Sequence, residues 1–430
     1  MKLLAPVLPD GFHGIGLFYG SAWMLQPVAA VFALRGFGVR ALVPALVVAV
    51  MAVSMPAFIM RFGHAALCGH FVLLLALGLY ARLLRAPGWW AVAVPFQVLA
   101  LLIHPYLALM SLAVLAAVPL TLLIRRRRFL LAGAGVLAAA AAMGTTMALL
   151  GYLGASGDGG FGQFAMNLLS PLWPNRSLFL GWLVPREVDA TGHNGWEGYN
   201  WLGLGLWAAI AGALWCGRGA LPWRRHAGLA LALLGCAALA VSLRIGFAGE
   251  VLLDIQPVPA FLEQFRASGR FFWPVAYGLL LVSAVLLARG GRRGQLILAA
   301  CAVLQFLDAT PQRAVLRAWA AERAPWTIEA DRLRPLMAAS ESLSLVPAWP
   351  CIPHEDWQSR TRLLEILLLA SESPRPVNTM YAARWREPPR CLPPGPLRPG
   401  ELRLALPGHD PAAGGSCRLI GDLQACREGW

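Results

Sequence analysis

The chain has 430 residues, of which 58% are hydrophobic and only 13% are charged, whereas a soluble globular protein is about one quarter charged. This composition excludes an ordinary soluble domain and predicts a protein that crosses a membrane several times. The formal net charge of +14 raises the question of nucleic-acid binding, which needs a basic face with elements that read bases. The surplus basic residues lie instead in short turns between apolar segments, so we expect membrane lipids and no nucleic acid as partners.

Ten apolar segments approach the length of about 20 residues that a membrane-spanning helix needs. His104-Pro105 divides one long apolar run into two helices, because the residue before a proline avoids the helical conformation. Pro44, Pro56 and Pro95 are acceptable inside spans, where neighbouring helices satisfy the freed backbone groups. The predicted spans are 13–34, 41–60, 65–81, 89–103, 105–124, 129–152, 201–217, 227–243, 271–288 and 295–308.

Arginine is distributed asymmetrically over the segments that connect these spans. The connections after the first, third, fifth, seventh and ninth spans hold 14 arginines and no Asp or Glu, and the other 22 basic and 22 acidic residues cancel. Because basic residues favour the cytoplasmic side, these connections predict the cytoplasmic face, and the long loops 153–200 and 244–270 then lie outside. The arginines are Arg35, Arg40, Arg82, Arg85, Arg125 to Arg128, Arg218, Arg224, Arg225, Arg289, Arg292 and Arg293.

Hydrophobicity falls at the end of the last predicted span. The chain is therefore expected to form an all-α polytopic membrane domain over 1–308, followed by a small soluble α/β domain over 309–430 on the outer side. Amphipathic and alternating patterns in this tail indicate two helices and three strands. The predicted helices cover 328–339 and 355–370, and the predicted strands cover 342–349, 377–383 and 401–406.

Half of the eight cysteines, namely Cys351, Cys391, Cys417 and Cys426, lie in the tail. An even number of cysteines in a small domain outside the cytoplasm predicts disulfides. Three pairings are open, and we prefer Cys351–Cys391 with Cys417–Cys426 because the second closes a short local loop. A metal site is the alternative, but the tail has no CxxC pair and its histidines are single, so we predict no metal.

Ionisable and amide side chains cluster at the predicted outer ends of the spans. Arg61, His64 and His70 lie where the third span begins, and His104 lies between the fourth and fifth spans. Such residues are unfavourable near a membrane, which makes them candidates for a binding site. For each residue alone, the alternative is a solvated helix end. The other candidates are Glu197, Tyr199 and Asn200 before the seventh span, and Arg266 and Arg270 before the ninth.

Several of these candidates also have a structural interpretation. Arg266 and Arg270 share one face of a helical turn, and either could form a surface ion pair with Glu263. His193 and Glu197, at a spacing of four, could bind a metal, but we expect none there. Aromatic residues in the same region fit a belt at the membrane interface, namely Trp201, Phe271, Phe272 and Trp273.

Five stretches of this sequence resemble, in order and spacing, a bacterial family of polytopic membrane proteins catalogued as a domain of unknown function. The stretches are MRFGHAALCGHF, HPYLALMSLAV, GGFGQFAMNLLSPLWPN, GWEGYNWLGLG and FRASGRFFWP. The layout of the family is similar to that of the C-type (GT-C) glycosyltransferases, with many helices, long outer loops and a soluble outer domain. The resemblance implies transfer of a sugar from a polyprenyl-phosphate donor to an extracytoplasmic acceptor. It places the protein in the bacterial inner membrane, with the C-terminal domain in the periplasm.

The resemblance also suggests roles for the candidate residues. GT-C enzymes carry a catalytic acidic residue in the first outer loop. The opening MKLLAPVLPDGFHGIGLFYGSAWMLQ resembles only the end of that loop running into the next helix. The resemblance therefore implies either that the true start lies upstream or that this chain lacks the catalytic base. Asp10 and Glu197 are then the candidate catalytic carboxylates. The candidate donor-binding residues are Arg61, His64, His70, His104, Arg266 and Arg270, and the candidate acceptor-binding residues are Tyr199 and Asn200.

Two other classes of function remain open at this point. One is a transporter or flippase for lipids or glycans, which would place polar sites near the middle of the bilayer in repeated halves. The other is a non-catalytic membrane assembly protein that presents its outer domain to partners. The sequence identifies no cofactor for any of these functions.

Overall fold

The computed structural model describes residues 7, 14–154, 160–184, 189–191, 197–216, 225–322, 324–353, 355–373, 375–382, 390–411 and 417–430. It divides into two compact units. The larger unit is Ile15–Leu153 with Gly159–Ala321, and the smaller is Met1–Gly14 and Gly154–Asp158 with Glu322–Trp430. The sequence placed this boundary after residue 308, whereas the helix Thr310–Ala321 follows the preceding helix after one residue and belongs to the larger unit.

Apolar helices dominate the larger unit, and each of the ten predicted spans contains at least one of them. Their bounds are α1 Ile15–Gly36, α2 Leu42–Val53, α3 Pro56–Ile59, α4 Phe71–Leu83, α5 Trp90–Ile103, α6 Pro105–Ile124, α7 Leu130–Leu149, α8 Leu204–Cys216, α9 Ala227–Val241, α10 Trp273–Arg289, α11 Gly291–Asp308 and α12 Thr310–Ala321.

About half of the ten predicted spans are supported by the length and composition of the described helices. Within the described residues, five helical segments are long and apolar enough to cross a membrane, and the bent pair α11–α12 would make a sixth. The helices α2, α5, α8 and α9 are apolar but shorter. The ten segments are therefore confirmed as helical, and ten spans are not. The five candidate spans are Ile15–Gly36, Ala65–Leu83, Pro105–Ile124, Leu130–Leu149 and Ser268–Arg289.

Proline decides where two of these helices begin. The predicted single helix over 41–60 is wrong, because Pro56 begins α3 and Met55 before it is extended, with φ −65° and ψ 120°. Proline lacks an N–H group and drives the preceding residue out of the helical conformation. The same effect produces the break that was predicted at His104-Pro105, where His104 is extended and Pro105 begins α6.

The connections between helices meet in two groups at opposite ends of the larger unit. Those before α4, α6, α8 and α10 are joined by hydrogen bonds and ring contacts at one end. That end also carries an antiparallel hairpin of β1 Arg244–Phe247 and β2 Glu250–Asp254. At the other end, arginines at the ends of α4, α6 and α10 and just before α9 line one pocket. Helices α4, α6 and α10 therefore run from the first end to the second and α9 runs back, in agreement with the arginine pattern for these four helices.

Close packing of α8 against α11 depends on the absence of a side chain at Gly205. A β-carbon there would lie 2.2 Å from the carbonyl oxygen of Cys301 and 2.5 Å from the backbone nitrogen of Gln305. We expect Gly205→Ala to lower the free energy of unfolding by about 1–3 kcal/mol, because the two helices must separate. Gly133→Ala is the matched control, since nothing lies within 4 Å of its β-carbon position. Equal melting temperatures of the two variants in detergent would contradict this packing.

The smaller unit is a sheet packed with two helices, as expected for a small α/β domain. Its sheet has the order β3 (Ser342–Val346), β4 (Glu401–Ala405), β6 (Leu423–Arg427) and β5 (Cys417–Ile420), with β3 and β4 parallel and the other pairs antiparallel. The predicted strand over 377–383 is wrong in the described part, where only Val377 forms a bridge, to Leu343. Its α-helices are α13 Ala330–Ala338 and α14 Trp357–Ala370.

Strand β4 is buried on both faces. Leu402 and Leu404 on one face belong to the apolar core. On the other face, Glu401 and Arg403 pair at 2.9 Å with 3% and 4% of their side chains exposed. Arg403 also donates to the carbonyl oxygen of Gly395, so the proline-rich connector covers this face of the sheet.

Two disulfides close the smaller unit, and they are the pairs preferred from the sequence. Cys351 is bonded to Cys391, and Cys417 is bonded to Cys426, which is its directly opposite residue across β5 and β6. Disulfides persist in oxidising compartments, so they indicate that this unit folds outside the cytoplasm. In the helical unit, Cys68, Cys236 and Cys301 are buried and reduced.

Candidate functional site

Two buried arginines surround Glu197 in the larger unit. Arg61 donates through Nη1 to Glu197 Oε2 at 2.8 Å. Arg270 makes a two-pronged contact, with Nε donating to Oε2 at 2.8 Å and Nη2 donating to Oε1 at 2.6 Å. The exposed fractions of the side chains are 1% for Arg61, 5% for Glu197 and 11% for Arg270. We call these three residues the Glu197 cluster, which holds two positive charges against one negative charge.

Three separate connections supply the Glu197 cluster, and aromatic rings position its guanidinium groups. Arg61 lies in the turn after α3, where the Cys68 thiol donates to its carbonyl oxygen at 3.2 Å. The Arg61 guanidinium lies 5.7 Å from the ring centre of Trp273, and that of Arg270 lies 5.0 Å from the ring centre of Tyr106. Cation–π contact of this kind holds a guanidinium away from water.

His64 connects the Glu197 cluster to solvent. Its Nε2 lies 3.5 Å from Glu197 Oε1, and 43% of its side chain is exposed. The imidazole lies at the accessible edge of the Glu197 cluster, whose three members are nearly or fully buried.

Electrostatics make Glu197 a poor general base. Burial alone would raise the pKa of Glu197, but hydrogen bonds from His64 and Arg270 and the charges of Arg270 and Arg61 outweigh it. The net result is a pKa well below the usual range for Glu. The carboxylate therefore acts as the counter-ion of the arginines, which argues against the catalytic role suggested by the sequence.

His70 lies behind the Glu197 cluster and is completely buried. Its Nδ1 is 2.9 Å from the Tyr277 hydroxyl, and its ring centre lies 4.2 Å from that of Trp273. Its Nε2 has no hydrogen-bond partner in the described part of the chain. Trp273 thus contacts both His70 and Arg61, and the interpretation of His70 as a solvated interfacial residue is wrong.

His104 and Arg266 lie at the same end of the unit but have local roles. His104 Nδ1 accepts from the backbone N–H of Tyr106 at 3.1 Å, which caps α6. The guanidinium of Arg266 lies 5.3 Å from the ring centre of Phe164. The proposed surface pair of Arg270 with Glu263 is not formed, because Arg270 binds Glu197 instead.

Tyr199 and Asn200 are 1% and 2% exposed and hold backbone rather than facing solvent. The Tyr199 hydroxyl donates to the carbonyl oxygen of Asn175 at 2.9 Å and accepts from Gln312 Nε2 at 2.7 Å. Asn200 Nδ2 donates to the carbonyl oxygen of Gly269 at 3.0 Å. The Asn200 bond fixes the loop that carries Glu197 to the segment that carries Arg270, and the Tyr199 bonds fix the same loop to Asn175 and to Gln312 of α12. We therefore assign both residues a positioning role.

The remaining predictions from the sequence concern Asp10, a metal site and an aromatic belt. Asp10 and His193 lie outside the described residues. Among the residues described, no group of three His, Cys, Asp or Glu side chains is arranged to hold a metal. The predicted aromatic belt is wrong, because all four of its members are buried: Trp201, Phe271, Phe272 and Trp273.

Asp308 is a structural residue that the sequence interpretation did not single out. Its carboxylate accepts from the Ser177 hydroxyl, from Trp201 Nε1 at 3.3 Å and from the backbone N–H of Leu204 at 3.0 Å. It is 1% exposed, and it anchors the start of α8 to the end of α11. The sequence feature that could have identified Asp308 is an acidic residue at the end of an otherwise apolar segment.

Comparison with known families identifies what this chain is related to. The family model described as "Domain of unknown function (DUF6311)" matches residues 1–310, and that of the "DUF6311 C-terminal domain" matches residues 332–427. The chain belongs to this family. The expected membership in an uncharacterised membrane family is thereby confirmed. No curated protein and no solved structure matches the chain.

The positive charge of the Glu197 cluster determines which ligands this site suits. Two guanidinium groups share one carboxylate, so the Glu197 cluster retains a net charge that suits an anion. Phosphate matches the forked donors of arginine, and the exposed imidazole of His64 lies beside the guanidinium groups. The arrangement supports phosphate binding beside a proton acceptor.

Proposed function

We propose that this protein is a membrane-embedded glycosyltransferase with a GT-C-like layout. It transfers a sugar from a polyprenyl-phosphate donor to an acceptor on the extracytoplasmic face. The observation that carries the proposal is the buried Glu197 cluster with its net positive charge and its exposed edge at His64. The disulfides of the smaller unit support a location outside the cytoplasm, and the apolar helices support an inner-membrane protein.

The donor phosphate binds next to the guanidinium groups in this proposal. Arg270 is the better placed of the two, because 11% of its side chain is exposed, whereas 1% of Arg61 is exposed. Glu197 holds both guanidiniums in fixed orientations, which avoids reorganisation when negative charge develops on the leaving phosphate. The carboxylate thus acts through the arginines and is a positioning residue.

The proposed transfer is a displacement at the anomeric carbon. The acceptor hydroxyl oxygen bonds to that carbon while the bond from the carbon to the phosphate oxygen breaks. The electron pair of this bond stays on the polyprenyl phosphate, which Arg270 stabilises. The hydroxyl proton passes to the imidazole of His64, the accessible proton acceptor beside the cluster.

A substitution at His64 tests this assignment with little risk to folding, because the side chain is 43% exposed. We expect His64→Gln to reduce sugar transfer about 100-fold or more, as for loss of a general base, and to leave the melting temperature nearly unchanged. The assay uses proteoliposomes with polyprenyl-phosphate-linked hexoses and pentoses, bacterial membrane glycans as acceptors, and mass spectrometry of the products. His409→Gln, an exposed histidine in the smaller unit, is the matched control.

The same proteoliposomes separate the alternative functions. Movement of the lipid-linked sugar across the bilayer without a new glycosidic bond would support the flippase and contradict the transferase. Binding of polyprenyl phosphate without transfer or movement would support a non-catalytic assembly protein. Transfer that is equally fast in the His64 and His409 variants would refute the role given to His64.

A further inference from the structure

A second concentration of positive charge lies at the opposite end of the helical unit. It is a pocket of about 510 Å³, which we call the arginine pocket. Its arginines lie at the ends of four helices, namely just after α4, just after α6, just before α9 and at the last residue of α10. The pocket is therefore formed by the packing of several helices and not by a single run of basic residues. The lining residues with charge or titratable groups are Arg85, Arg125, Arg127, Arg225, His226 and Arg289.

The arginines of the pocket have no carboxylate partner in the part of the chain that the structure describes. None of the ion pairs among described residues includes them. Arg85 donates only to a neutral group, the carbonyl oxygen of Gly36. Five like charges around one pocket repel one another, so a bound anion would relieve a cost that the fold otherwise bears.

Buried hydroxyl groups hold His226, which lines the pocket together with the arginines. His226 Nδ1 lies 3.2 Å from the Tyr80 hydroxyl, which lies 3.0 Å from the hydroxyl of Thr121. The ring of His226 also packs on Phe37 with 5.4 Å between ring centres. Burial, together with four neighbouring arginines, lowers the pKa of His226 to about 4. This histidine is therefore neutral at physiological pH and adds no charge to that of the arginines.

We propose that the arginine pocket binds a phosphate-bearing anion, either the headgroup of a membrane lipid or a free diphosphate. Forked guanidinium donors suit phosphate oxygens, and the pocket volume lies within the range of small-ligand sites. The pocket lies where the candidate spans Ala65–Leu83 and Ser268–Arg289 end, which is the level of lipid headgroups. This site is independent of the Glu197 cluster and of the proposed transferase activity.

The four consecutive arginines at 125–128 provide a matched test, because only every second one lines the pocket. Arg125 and Arg127 line the pocket, whereas Arg126 and Arg128 do not, so both double variants to glutamine lose the same charge from the same segment. We expect Arg125→Gln with Arg127→Gln to weaken binding about tenfold or more, and Arg126→Gln with Arg128→Gln to change it about twofold or less. The full chain is used throughout.

Two probes distinguish the source of the phosphate. Titration calorimetry measures the binding of inorganic pyrophosphate to the detergent-solubilised chain. Native mass spectrometry of the chain from nanodiscs measures retention of phosphatidic acid over phosphatidylcholine. Pocket-dependent binding of pyrophosphate alone identifies a soluble ligand, and pocket-dependent retention of phosphatidic acid identifies a lipid. Equal effects of the two double variants, or no saturable binding of either probe, would overturn the proposal.

Discussion

Replacing Glu197 with glutamine is expected to lower the free energy of unfolding by about 3–5 kcal/mol. The substitution keeps the shape of the side chain but leaves Arg61 and Arg270 buried without a counter-ion. Glu250→Gln is the matched control, because that carboxylate is exposed and we expect its loss to be nearly neutral. Melting temperatures of the detergent-solubilised variants measure the difference. A Glu197 variant as stable as the Glu250 variant would show that the cluster does not hold the fold together.

The pH dependence of stability gives an independent readout of the same residue. The folded state holds the pKa of Glu197 below its usual range, so its contribution is fully present above the unfolded value of about 4.3. That contribution is lost as the pH falls from about 4.3 towards the lower folded pKa. The melting temperature of the parent protein should therefore fall more steeply below this pH than that of Glu197→Gln.

Stability and function can be separated at this cluster. Replacing buried ion pairs by apolar side chains of similar volume is often neutral or stabilising. A triple variant with Arg61→Met, Glu197→Leu and Arg270→Met should therefore recover much of the stability that Glu197→Gln loses. If the cluster binds phosphate, the triple variant should nevertheless lose the retention of polyprenyl phosphate in native mass spectrometry.

The second large effect on stability is expected from loss of the disulfide Cys351–Cys391, which joins residues 40 apart. Replacing both cysteines by serine should destabilise the smaller unit by roughly 4 kcal/mol on the chain-entropy estimate. The Cys417–Cys426 bond joins residues 9 apart, and the same estimate gives roughly 2.5 kcal/mol for its loss. Loss of Cys351–Cys391, which closes the longer loop, should therefore destabilise the unit more than loss of Cys417–Cys426, even though Cys426 is completely buried.

Pulse proteolysis of the full chain in increasing urea measures this difference, with gel detection of fragments from the smaller unit. Reductant should make the parent protein as susceptible as a variant that lacks all four cysteines. The opposite order of the two double-serine variants would contradict the loop-length argument. It would indicate instead that local packing around β5 and β6 dominates the stability of the unit.

Much of the helical framework was predictable from the sequence because apolar runs and prolines act locally. The break at His104-Pro105 needed only the steric restriction before proline. The number of spans was less predictable, since an apolar helix such as α8 is buried against α11 whether or not it crosses the bilayer. The hairpin of β5 and β6 was missed because three of the four residues in β5 are exposed and show no alternation.

The site was predictable only as a list of residues, because its geometry depends on distant contacts. Arg61 and Glu197 are 136 residues apart, and Arg270 follows Glu197 by 73 residues. Clustering of costly ionisable groups at helix ends pointed to these residues. It gave no means of distinguishing a general base from a counter-ion, since that depends on the number of guanidinium groups that contact the carboxylate. The same holds for Tyr199 and Asn200, whose partners are mostly backbone atoms.

The Glu197 cluster and the arginine pocket are expected to lie on opposite faces of the membrane, and both proposed binding sites depend on this placement. His64 immediately precedes the candidate span Ala65–Leu83, and Arg85 follows it, so single cysteines at these positions report on both ends of one helix. The measurement is labelling with a membrane-impermeant maleimide in intact bacterial spheroplasts. We predict that His64→Cys is labelled directly and that Arg85→Cys is labelled only after permeabilisation. Labelling of both from the same side, or the reverse order, would contradict the account.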